Sequence, residues 1–81
     1  NPSNPQSKID FHLPFDAQVT LKVYDITGKE AAVLVNNFLM ADYHTAEFDG
    51  SKLASGVYFY RIIAEGIEQN FSKTLKMVLV K

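Results

Sequence analysis

Apolar and polar residues alternate along much of the chain with the two-residue period that is typical of half-buried β-strands. The alternation is clearest over residues 17–25. It also covers residues 8–13, where Pro14 ends it because proline has no backbone N–H to donate. We therefore predict two strands, each with one side facing the core. Their predicted inward residues are Ile9, Phe11, Leu13, Val19, Leu21 and Val23.

The second half of the chain shows the same period in three further segments. Residues 44–48 alternate up to the turn formed by Asp49, Gly50 and Ser51, and residues 57–64 form the next strand. The last segment runs from Ile67 to the end of the sequence. The predicted inward residues of the first two of these strands are His44, Ala46, Phe48, Tyr58, Tyr60, Ile62 and Ala64.

The last two strands raise two questions about local geometry. Glu65 and Gly66 predict either a two-residue hairpin turn or a turn with a glycine bulge. In the strand that follows, Lys73 shares its side with Phe71 and Leu75. Because a lysine is rarely buried, we expect a bulge or a twist in this strand.

Residues 25–41 contain a turn and an ambiguous segment. Asp25 and Gly28 are typical turn residues, since aspartate caps nearby backbone amides and glycine adopts a positive φ. Apolar residues then recur at helical spacing from Ala31 to Phe38, but β-branched valines and the pair Asn36-Asn37 oppose a helix. We predict a short strand over residues 30–35, followed by a loop.

These elements predict an all-β fold, an immunoglobulin-like antiparallel β-sandwich of six or seven strands in a single domain spanning residues 1–81. Tyr58 stands at the start of the penultimate strand, where immunoglobulin-type sandwiches place a corner tyrosine whose hydroxyl bonds back to upstream backbone. Residues 1–7 hold two prolines and are predicted to be a lead-in or linker, which suggests a module from the end of a longer protein.

Composition narrows the possible functions. With 81 residues, 47% of them hydrophobic, and no cysteine, the chain must use its aromatic residues to build a core without disulfides. The formal charge of −1 argues against a nucleic-acid partner, and no apolar run is long enough to span a membrane.

Candidate chemistry is sparse. His12 and His44 lack metal-ligand spacing, and most carboxylates fall at predicted turns, so we predict no metal, no cofactor and no catalytic site. Tyr24 and Phe59 point outward and, with the predicted loop pair Phe38-Leu39, form a possible sugar-binding platform.

Four blocks of the sequence, in order, resemble one known family. They are residues 1–14 (Asn-Pro-Ser-Asn-Pro followed by Ile-Asp-Phe-His-Leu-Pro), residues 21–30 with the Asp-x-x-Gly turn, residues 53–61 with the Leu-x-x-Gly-x-Tyr motif, and residues 76–81 with their final lysine. Together they resemble the C-terminal sorting domains of the type IX secretion system. The immunoglobulin-like domain of flagellar hook-capping proteins shares much of the pattern. The sequence departs from the family at Ser3, where an aromatic residue is usual.

The resemblance implies a noncatalytic module attached to an N-terminal cargo domain such as a secreted enzyme. In that family the domain folds in the periplasm, and outer-membrane proteins of the secretion machinery recognise it. The cargo then crosses the outer membrane and in many cases is anchored on the cell surface. The resemblance also favours a strand over residues 30–35.

The family's recognition motifs correspond here to one glycine, one tyrosine and the last strand: Gly56, Tyr58, Lys76, Met77, Val78, Leu79, Val80 and Lys81. For Gly28, Gly56 and Tyr58 a role in making the fold is favoured over direct contact, whereas for the last strand both roles stay open. A free strand edge there offers a partner unpaired backbone groups. The alternatives are a structural, assembly or spacer module beside a catalytic domain, and a carbohydrate-binding module.

Overall fold

The computed structural model describes residues 6–80, and for Gln6 and Ser7 it describes the backbone only. The described chain is all-β. Its six strands are β1 (Gln6–Leu13), β2 (Ala17–Asp25), β3 (Glu30–Leu39), β4 (Asp42–Asp49), β5 (Gly56–Glu65) and β6 (Asn70–Leu79). Most of the predicted lead-in, residues 1–5, lies outside the described residues. β1 begins two positions before the start of the clear alternation.

The strands form two antiparallel sheets that pack as a β-sandwich. β1 pairs with β4 in a two-stranded sheet, and the other four strands form a sheet in the order β3-β2-β5-β6. The short connection at residues 40–41 carries the chain from β3 to β4, and therefore from one sheet to the other. This connection closes one side of the sandwich.

The core lies between the sheets and consists mainly of residues predicted to point inward, joined by Ala17 and Leu79. β2 shows the pattern most clearly, because alternate residues from Ala17 to Val23 are fully buried. Phe11, Tyr60 and Phe71 are half-buried and pack against this core, as expected. The buried hydrophobic residues are Ile9, Leu13, Ala17, Val19, Leu21, Val23, Ala46, Phe48, Tyr58, Ile62, Ala64 and Leu79.

β3 corrects the prediction for residues 30–41. The segment is a strand, but it continues to Leu39, so the loop expected from Asn36 onward is wrong. Its pairing with β2 skips Leu34 and Ala31, giving two register irregularities. Each extra residue reverses which side of the sheet the next residues face. The two reversals let Ala31, Leu34 and Val35 pack against the core, which accounts for these positions of the spacing that resembled a helix, whereas Phe38 is exposed.

The connection between β5 and β6 differs from the two-residue turn that Glu65 and Gly66 suggested. Glu65 pairs with Asn70, so residues 66–69 form the connection, and the Gly66 N–H donates to the Gln69 carbonyl at 2.8 Å. The pairing of β6 with β5 runs without a skip from Asn70 to Leu79, so of the two features expected in this strand, a bulge or a twist, the bulge is absent. Lys73 nonetheless stays exposed, because it faces the open side of the sandwich.

Candidate recognition surface

The two parts of the predicted recognition motif are neighbours in the folded chain. β5 and β6 pair so that Gly56 lies opposite Leu79 and Tyr58 lies opposite Met77. The Gly-x-Tyr motif and the last strand are distant in sequence, and the antiparallel pairing places them side by side at one end of the larger sheet.

Tyr58 makes the contact expected of a corner tyrosine. Its ring is buried in the core, with 7% of the residue exposed, and its hydroxyl donates to the Ala54 carbonyl at 2.7 Å. This bond ties the segment before β5 to the strand itself. The contact gives Tyr58 a structural role, so the fold itself explains why a tyrosine stands at this position.

Gly56 and Gly28 both adopt positive φ angles, of 151° and 89°. An added Cβ would meet nothing within 4 Å at either position, so the backbone conformation, and not crowding, requires glycine there. At Gly56 this conformation lets the chain enter β5 directly before the corner tyrosine.

The turn before β3 is organised by the Asp25 carboxylate. Its Oδ1 accepts hydrogen bonds from the Thr27 hydroxyl at 2.6 Å, the Thr27 N–H at 2.8 Å and the Lys29 N–H at 3.1 Å. These donors, the Thr27 hydroxyl foremost, hold the pKa of Asp25 below its usual value. The Gly28 N–H donates to the Asp25 carbonyl and completes the turn.

The last strand divides its side chains between the core and solvent. Leu79 is 5% exposed and packs over Gly50, where an added Cβ would lie 2.9 Å from the Leu79 Cδ2. Met77 is half-buried against the core. Lys76, Val78 and Val80 are exposed on the opposite side. Lys81 lies outside the described residues.

β6 also has a free backbone edge. β5 is its one partner among the described strands, so the backbone groups on its other edge carry no strand partner there. Such an edge is a template for strand addition. We call residues 76–80, with their exposed side chains and this backbone edge, the tail edge.

The sugar platform considered from the sequence is split. Tyr24 and Phe59 lie opposite each other on the outer face of the larger sheet. Phe38 is in β3 and pairs with Gln18, which is six positions from Tyr24 along β2, or roughly 20 Å at the rise of an extended strand. A sugar site on this face would therefore have to use Tyr24 and Phe59 without Phe38.

The two histidines pack against aromatic residues within the two-stranded sheet. His44 donates from Nε2 to the Met40 carbonyl at 2.8 Å and stacks on Phe11, while His12 packs against Tyr43. Residues 6–80 contain no group of three or more histidine, aspartate or glutamate side chains placed to hold a metal. No helix with the length and apolar character of a membrane span occurs in this part of the chain.

The sequence did not reveal an open groove on the side of the sandwich opposite the β3–β4 connection. The groove has a volume of about 350 Å³ and lies between β1 and β6, with β5 at its floor. Lys73 and Leu75 of β6 line it, together with Phe11, Tyr60 and Phe71. Lysine among inward-facing apolar residues was the one signal of it in the sequence.

Comparison with known proteins identifies the family of this chain. Residues 1–79 match the family described as the secretion system C-terminal sorting domain, so the match covers almost the whole chain. This confirms the family that the four sequence blocks resemble, with the fourth block matched as far as Leu79. Neither the curated proteins nor the solved structures gave a significant match.

Proposed function

Because the chain belongs to the family of secretion system C-terminal sorting domains, we propose that it delivers an attached cargo to the cell surface and anchors it there, with the tail edge as the surface that the secretion machinery recognises. The family gives the domain its role in type IX secretion sorting and marks the protein that carries it as secreted or exposed on the cell surface after export through the periplasm. The parts that we propose are the anchoring of the cargo and the choice of the tail edge as the recognised surface.

The exposure pattern of β6 is the observation that supports the tail edge. Val78 on this edge strand is 61% exposed, and Val80 directly after the strand is 65% exposed. Lys76 is exposed on the same side. Apolar side chains and unpaired backbone groups at one edge are the features that a partner strand uses when it adds to a sheet. Gly56 and Tyr58 support this edge from β5 by shaping the strand next to it.

The experiment is a secretion assay with the 81-residue chain fused behind a reporter that carries a periplasmic export signal, in a bacterium with a type IX system. Deleting residues 76–81 removes the tail edge but also removes Leu79 from the core, so the deletion alone confounds recognition with folding. Val78→Asp changes an exposed side chain and leaves the core intact. We expect Val78→Asp to retain the reporter in the periplasm.

The matched control is Val33→Asp, which changes a valine that is 48% exposed on β3, the edge strand at the other side of the same sheet. Both variants should keep the melting temperature within a few degrees of the parent chain, and Val33→Asp should be secreted normally. Equal secretion of both would refute recognition by the tail edge. Anchoring is scored separately, as the fraction of external reporter that sediments with cells and is sensitive to added protease.

A further inference from the structure

One side of the sandwich is open because the two sheets differ in width. The smaller sheet has two described strands and the larger has four. β4 connects directly to β3 and contacts it, so the smaller sheet lies over the β3 side of the larger one. The inner side of β6 is consequently left without a described strand above it.

Two inward-facing residues of β6 are exposed where no described strand lies above them. Ile62 in the neighbouring β5 is buried, whereas its partner Lys73 is exposed, although both face the same side of the sheet. Leu75, two residues further along, is 38% exposed and lines the groove. The space beside β1 and above β6 therefore has the position of a missing third strand of the smaller sheet. Its lining is mainly apolar, and Asp10, His12 and Lys73 are its polar members.

We propose that this groove accepts an extended segment of another protein, which pairs with the free edge of β1 and places apolar, acidic and apolar side chains at alternate positions in the groove. β1 pairs with β4 and with no other described strand, so one of its backbone edges is available. The groove volume of about 350 Å³ is roughly twice that of the cavity of about 150 Å³ that holds one benzene, which leaves room for two apolar side chains.

The requirement for an acidic residue comes from β6. Phe71, Lys73 and Leu75 face the groove in succession, so an incoming strand meets an apolar, a cationic and an apolar residue. A carboxylate between two apolar side chains complements that series, and a lysine there would place like charges together.

The chain itself does not offer such a strand. An acidic residue with apolar residues two positions before and after it occurs once in the sequence, at Ile63, Glu65 and Ile67. Ile63 and Glu65 belong to β5, which already pairs on both edges, with β2 and β6. A second copy could donate this segment only by unfolding, so the occupant is not a second copy of these 81 residues.

The test uses the full 81-residue chain and a capped synthetic peptide with the sequence Thr-Val-Thr-Glu-Thr-Val-Thr, which is one residue shorter than the 8 residues of β1 and places valine, glutamate and valine at alternate inward positions. We expect saturable binding below about 1 mM by isothermal titration, and slower amide exchange in β1. A peptide with lysine in place of the glutamate should bind on the order of tenfold more weakly.

A charge-reversal variant tests whether the peptide binds in the groove. Lys73→Glu should reverse the preference, so that this variant binds the lysine peptide better. Lys52→Glu changes an exposed lysine in the turn before β5, outside the groove lining, so it should keep the parent preference and serves as the matched control. Absence of saturable binding, protection confined to β6, or an unchanged preference in Lys73→Glu would each overturn the proposal. The assay involves no secretion, so its result is independent of the tail edge.

Discussion

Replacing Tyr58 with phenylalanine removes one hydroxyl and leaves the buried ring in place. The hydroxyl donates to the Ala54 carbonyl at 2.7 Å in a partly buried setting. A hydrogen bond of this kind contributes about 1 kcal/mol net, and the abandoned carbonyl recovers part of that from water because Ala54 itself is exposed. We therefore expect Tyr58→Phe to lower the free energy of unfolding by about 1 kcal/mol.

That loss is measurable in a domain of this size. For domains of roughly 60–100 residues, 1 kcal/mol corresponds to a melting temperature lowered by roughly 4–8 °C. Urea unfolding followed by circular dichroism should show a lower midpoint with an unchanged slope, since the surface exposed on unfolding is the same. Tyr43→Phe is the matched control, because Tyr43 is 79% exposed and its change should stay within about 0.5 kcal/mol. Equal midpoints for the two variants would refute the structural role assigned to the Tyr58 hydroxyl.

Three other variants test the remaining supports of the surface. Gly56→Ala forces a side chain into a φ of 151° and should cost about 1–3 kcal/mol in urea unfolding; a neutral result would contradict the argument from backbone conformation. Leu79→Ala should cost about 2–5 kcal/mol by the same measurement, since it empties a buried position in the core, and a loss below 1 kcal/mol would show that β6 is not anchored there. The folded-state pKa of Asp25 is lowered, so its carboxylate stabilises the fold above the ordinary value of 3.8, and this contribution is lost as the pH falls through the lower folded-state pKa. The difference in melting temperature between the parent chain and Asp25→Ala should therefore narrow below pH 3.8. A difference that does not change with pH would contradict this stabilising role of the Asp25 carboxylate.

Sequence patterns predict the strands that are buried on one side and regular throughout. β2 and β5 are of this kind, and their alternation identifies both the strands and their inward residues. β3 is different because its bulges at Ala31 and Leu34 depend on pairing with β2. Asn36 and Asn37 lie within a strand for the same reason: they pair with Thr20 and Val19, and tertiary pairing overrides their local preference for a turn.

The candidate surfaces were predictable to different degrees. The motif around Tyr58 is local, and a corner tyrosine follows from its place at the start of a strand. The groove depends on how many strands each sheet has, which no local pattern encodes. The expectation that Lys73 would need a bulge assumed a complete sheet above β6. In the structure no described strand of the smaller sheet lies above this part of β6, so Lys73 reaches solvent without a bulge.

Alternation in β6 links the tail edge, which we propose as the recognition surface, to folding. Leu79 and Met77 hold the strand on the core, and the same alternation presents Val78 and Val80 to solvent on the other side. The exposed row and the free backbone edge therefore exist together only when β6 is paired with β5. In an unfolded chain the same residues are a short flexible segment without a defined edge. A receptor that adds a strand to the tail edge would therefore discriminate the folded domain from the unfolded one.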